Sequence, residues 1–112
     1  MEGKKAPKEI TISNEFLYDL DDIYQYSHDT FGKNQAEKYE EKIWSLIHNL
    51  STNYTIFPEC RYLPTKSKKY RWIILDAHYL IYRITNKEVQ LLRIVHTKRS
   101  ISKIKTSRNI KP

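Results

Sequence analysis

Between Tyr70 and His96 the chain carries three short runs of β-branched and aromatic residues in tandem: Tyr70-Arg71-Trp72-Ile73-Ile74-Leu75, Tyr79-Leu80-Ile81-Tyr82-Arg83-Ile84 and Val89-Gln90-Leu91-Leu92-Arg93-Ile94-Val95-His96. The separators Asp76-Ala77-His78 and Thr85-Asn86-Lys87-Glu88 are too short for anything but reversals. Such spacing predicts an antiparallel meander. Arginines interrupt runs that would otherwise be pure core. An arginine within a strand is seldom fully buried without a partner, so one sheet face is expected to stay open to something negative or polar.

Upstream of the meander the period changes. Residues 8–13 alternate weakly through Ile10 and Ile12 and read as a short strand. Phe16, Leu17, Leu20, Ile23, Tyr24, Ser27 and Phe31 then recur at helical spacing, with Asp19, Asp21, Asp22 and Gln25 on the outer side. Ser13 or Asn14 is placed to cap this helix and Gly32 to end it. Asn34 and Glu37 have the offset of a capping box. A second helix follows through Ala36, Tyr39, Ile43, Leu46, Ile47 and Leu50. A connection of about three residues between the helices predicts a helical hairpin. The expected fold is a two-layer α+β domain: an N-terminal strand, a helical hairpin, then a three-stranded antiparallel meander with the helices on one face. Leu80, Tyr82, Ile84, Leu92 and Ile94 are expected to pack on the helices. Tyr79, Ile81, Arg83, Leu91, Arg93 and Val95 should take the other face.

At 112 residues the expectation is one domain. It should span residues 8–99, between a flexible leader (1–7) and a basic C-terminal tail (100–112) that is mobile apart from a helical turn at Ile101 and Ile104. The single cysteine, Cys60, excludes an internal disulfide and suits a reducing compartment. No apolar run is long enough to cross a bilayer, and no signal peptide is expected, so a cytoplasmic location is anticipated. The net charge of +7 is unevenly spread. Residues 1–60 hold six Lys/Arg against eleven Asp/Glu, a balance of −5. Residues 61–112 hold fourteen against two, a balance of +12. This asymmetry points to an acidic partner, either nucleic acid or an acidic protein segment.

The ordered set of residues carries a further signal. It comprises Asp19-Leu20 with Ile23 and Tyr26; Gly32 with Ala36, Tyr39, Ile43, Ile47 and Leu50; Pro58; Tyr70-Arg71; Tyr79-x-Ile81-Tyr82-Arg83-Ile84; and Arg93-Ile94-Val95-His96-x-x-Arg99. From Ile10 to Arg99 this resembles the RelE/ParE superfamily of bacterial type II toxin–antitoxin toxins. The resemblance implies a growth-arresting toxin neutralised by a cognate antitoxin encoded beside it, in a complex that can assemble further. Two chemistries divide the superfamily. ParE-like members, of the plasmid-stabilisation kind, poison DNA gyrase. RelE-like members cut messenger RNA on the ribosome. The long hairpin with Gly-x-x-x-Ala-x-x-Tyr (Gly32, Ala36, Tyr39) leans toward the ParE branch.

The residues keep the nuclease branch open. Cleavage by 2′-hydroxyl attack needs a proton acceptor, a cation for the pentacovalent phosphate and a donor for the leaving oxygen. A histidine such as His96 can act as acid or base near neutral pH. Arg71, Arg83 and Arg93 can hold a phosphate bidentately, and Lys66, Lys68 and Lys69, with Arg93 and Arg99, can bind a nucleic-acid backbone or an acidic partner. The other reading of these arginines is pairing with antitoxin carboxylates, and of His96 an ordinary hydrogen-bonded strand end. His28, His48, His78 and His96 show no metal-ligand spacing, so neither metal nor cofactor is expected.

Overall fold

The computed structural model describes residues 6–98 and 101–112. Strand β1 (Glu9–Ile12) leads into helices α1 (Asn14–Phe31) and α2 (Lys33–Asn53). Strands β2 (Tyr70–Leu75), β3 (His78–Ile84) and β4 (Glu88–His96) follow, then helix α3 (Ile101–Thr106) and a 3₁₀ turn, Ser107–Asn109. The sheet order is β1-β4-β3-β2, with β1 parallel to β4 and the meander antiparallel. The expected strand, hairpin and three-stranded meander are all present.

Ser13 is the cap of α1. Its Oγ accepts from the Phe16 N–H at 2.9 Å and donates to the Leu92 carbonyl at 2.7 Å, tying the helix start to β4. Such a cap contributes on the order of 1 kcal/mol. Gly32 ends α1, its N–H bonding the His28 carbonyl. Here the structure corrects the expected three-residue connection. Gly32 adopts φ +96°, a left-handed conformation that costs glycine little. The chain therefore reverses on one residue and α2 starts at Lys33. Asn34 and Glu37 fall inside the helix rather than forming a capping box.

The sheet separates two cores. On the hairpin side, Phe16, Leu20, Ile43, Ile47 and Leu50 pack on Ile73, Leu80, Tyr82, Leu91 and Ile94. Burial of each large apolar side chain stabilises the fold by about 1.5–3 kcal/mol. On the opposite side, Trp72, Ile81, Leu92 and Val95 pack beneath Cys60, Leu63, Ile104 and Ile110. The segment expected as a basic tail thus contributes two core residues, because Ile104, Ser107 and Ile110 recur every third position and are all buried.

Leu91 and Leu92 exchange the faces expected of them. The β3–β4 register shifts between Ile81 and Tyr82: Tyr82 opposes Leu91 but Ile81 opposes Arg93, leaving Leu92 as the extra residue of a bulge. Before the bulge Val89 and Leu91 face the hairpin, whereas Leu92 faces the second core. Strict alternation cannot anticipate this inversion.

The long loop before β2 is held by buried polar contacts. Tyr82 donates to the Tyr54 carbonyl at 2.7 Å. The Cys60 N–H donates to Tyr70, and the Trp72 N–H to Pro58. No described helix is long and apolar enough to cross a membrane.

Candidate functional site

Of the residues expected to carry chemistry, Arg71 is the most deeply engaged in structure. Its guanidinium donates to the carbonyls of Thr55, Phe57 and Lys68 at 2.9, 2.8 and 2.8 Å. It thereby closes the loop that a bridge between Glu59 and Arg71 fastens to the sheet edge. Arg83 points to the other side. It donates to Gln90 Oε1 at 2.6 Å and to the Ile110 carbonyl at 2.7 Å, with its cation over the Tyr70 ring. Arg93 turns around the open edge of β4 beyond Ile12 and meets Asp19 of α1 bidentately, at 2.6 and 2.9 Å. The Asp19 hydrogen bond and charge hold this guanidinium still more firmly protonated. Asp19 also accepts from the Ile94 N–H at 3.0 Å.

The candidates therefore do not converge. Arg71 and Arg83 serve opposite faces of the sheet. His96 pairs with His78 at the far end of β3, five residues from Arg83, about 17 Å along the strand. Lys66, Lys68 and Lys69 are exposed on the loop before β2. Lys68 adopts φ +54°, unusual outside glycine. Arg99 lies outside the described residues.

A different grouping forms where the hairpin meets the end of the sheet. A cleft of about 860 Å³ opens there between Ile23, Tyr26 and Phe31 on α1, Tyr39 on α2, and His78 and His96. The two imidazoles meet edge to face with ring centroids 5.4 Å apart. His78 Nδ1 is hydrogen-bonded to Tyr39 Oη at 2.9 Å, and His96 Nδ1 accepts from the Lys98 N–H at 3.1 Å. Burial and then the neighbouring His96 lower the His78 pKa below 6.5, favouring the neutral ring. Burial and the nearby Asp76 push Tyr39 up to about 12. A smaller hollow of about 210 Å³ lies beside the same histidines, with Arg93 and Lys103 in its wall.

Sequence reasoning singled out His96 and missed its partner. A regular ladder extended from the Ile84–Val89 pair would put His78 opposite Val95. The bulge at Leu92 moves it opposite His96. Among the described residues no cluster of three or more His, Cys, Asp or Glu side chains has the geometry to hold a metal ion.

Comparison with known proteins agrees with this architecture. Residues 10–101 match the family described as "ParE toxin of type II toxin-antitoxin system, parDE". A chain from the solved structure "Chromosomal ParDE TA system from P. aeruginosa" has a similar fold, with a TM-score of 0.66 at 21% sequence identity. The similarity covers 82% of this chain and 98% of that one. No curated protein matches by sequence. With a match running from β1 to the start of α3, over most of its length, the chain belongs to the ParE toxin family of type II toxin–antitoxin systems.

Proposed function

We propose that this toxin arrests growth by binding DNA gyrase, as a protein inhibitor and not as a ribonuclease, and that its antitoxin silences it by covering the basic side of the sheet. The observation that carries the reading is the engagement of the arginines. A phosphate-cleaving centre needs guanidinium groups aimed at the charge that develops in the transition state. Here Arg71 is taken by three loop carbonyls, Arg83 by Gln90 and Ile110, and Arg93 by Asp19. Each of these bonds would have to break before the residue met RNA.

The antitoxin surface follows from charge and exposure. Ile74 is 67% exposed on β2, paired with Tyr79, whose ring stacks on Trp72. Lys66, Lys68 and Lys69 on the loop, with Lys103 and Lys105 on α3, supply positive charge from the elements flanking this side of the sheet. An acidic segment with apolar anchors suits such a surface.

Induced expression without antitoxin tests the reading, with DNA breakage and messenger RNA integrity followed in one culture. Broken DNA with intact message is the expected outcome. Cleaved message with intact DNA would overturn it and assign the chain to ribosome-dependent RNA cleavage.

A further inference from the structure

We propose that the cleft between the hairpin and the sheet end is a nucleotide site, holding a phosphate between His78, His96 and Lys98 and a base against Tyr26 and Phe31. This inference does not depend on gyrase being the target. Its volume of about 860 Å³ falls within the range of small-ligand pockets, roughly 300–1,000 Å³. Its two ends differ in chemistry, and a nucleotide combines both.

At the strand end, each histidine has its Nδ1 occupied, His78 by the Tyr39 hydroxyl and His96 by the Lys98 amide. A neutral His96 then carries its proton on Nε2, free to donate, and His78 does the same in the tautomer whose Nδ1 accepts from the Tyr39 hydroxyl. Two such donors, with Lys98 also lining the cleft, suit a phosphate, whose oxygens only accept when ionised. At the helix end, Tyr26 and Phe31 line the cleft and are 65% and 66% exposed. Flat apolar rings of this kind are stacking surfaces for bases. Asp22 and Gln35 also line the cleft and match the donor-rich edge of guanine.

Of the three carboxylates nearby, two already face cations and the third, Asp22, which lines both the cleft and the smaller hollow, is the one offered to the base. Asp76 lies 3.4 Å from the Lys42 ammonium, and Asp19 is committed to Arg93. The groups facing the imidazoles are Tyr39 from α2, Asp19 and Asp22 from α1, Asp76 from the turn, and Lys98, Lys103 and Arg93 from β4 and beyond.

The test is a proton NMR titration of the histidine ring signals in the whole chain, with guanosine monophosphate, inorganic phosphate and a short single-stranded oligonucleotide as separate probes. His78 and His96 should shift saturably with the nucleotide while His28 and His48 stay fixed. Inorganic phosphate should bind more weakly. His96→Ala should weaken nucleotide binding about tenfold or more with the Tyr and Trp signals of the core unchanged. Tyr26→Ala, on an exposed helix position, should weaken nucleotide but not phosphate. Tighter binding of the oligonucleotide than of the nucleotide assigns the natural ligand to a strand; equal or weaker binding assigns it to the free nucleotide. Unmoved histidine signals, or a phosphate response equal to that of the nucleotide, would overturn the proposal.

Discussion

Asp19 ties α1 to β4 through one carboxylate. It rises from α1, accepts from Nε and one terminal nitrogen of Arg93, and accepts from the Ile94 amide at the edge of β4. Removing it leaves a half-buried guanidinium and a backbone donor without partners, so Asp19→Ala should cost about 3 kcal/mol. Asp19→Asn keeps an acceptor for Ile94 and should cost distinctly less; paired urea denaturation curves measure the difference. His78 gives a second prediction. Its folded pKa lies below the ordinary 6.5. As pH drops through 6.5 the unfolded chain gains a proton before the folded one, so stability should decline there until the folded ring protonates too. Urea midpoints taken from about pH 7.5 to pH 5 should show that fall, and His78→Asn should flatten it. Neither residue's role was legible beforehand. Asp19 looked like a solvated helix face, and its partner stands 74 positions away.

At the scale of elements, what the sequence disclosed was periodicity. The helical spacing from Phe16 and the three β runs mark α1, α2 and the meander to within a few residues. Those patterns record which side of a segment meets apolar neighbours, and that physics is local. Two features escaped because they depend on the backbone. The single-residue reversal at Gly32 rests on a φ of +96°, and the inversion of Leu91 and Leu92 rests on a bulge. The C-terminal segment is an intermediate case. Its helical turn was legible from Ile101 and Ile104, but the docking of Ile110 was not, since it also needs the Arg83 donor at its carbonyl. Ile104→Ala should cost about 2–4 kcal/mol, through the lost side chain and the cavity left behind. Hydrogen exchange should then show protection lost across residues 101–110 while the amides of α1 and α2 stay protected.

Across the whole molecule, charge and topology coincide. The acidic half of the sequence supplies β1 and the hairpin, and the basic half supplies the meander and α3. Antitoxin affinity should therefore fall as salt rises from about 0.05 to 0.5 M, as exposed charges are screened; calorimetric titrations at several salt concentrations would show it. Salt-independent binding confined to the hairpin would contradict the proposed surface. The candidate catalytic residues were legible as residue types and not as a site, because the fold sends Arg71, Arg83 and His96 to separate neighbourhoods. The bulge at Leu92 also bears on how long this chain has to be. With Leu92 absent, Tyr82–Leu91 and Ile81–Arg93 become consecutive rungs, and every remaining residue of β4 keeps its present side and partner. The deletion would forfeit one buried side chain and the carbonyl that Ser13 bonds, yet leave His78 opposite His96. Strand β4 thus contains a spare letter: it can be struck out without changing how the rest of the line reads.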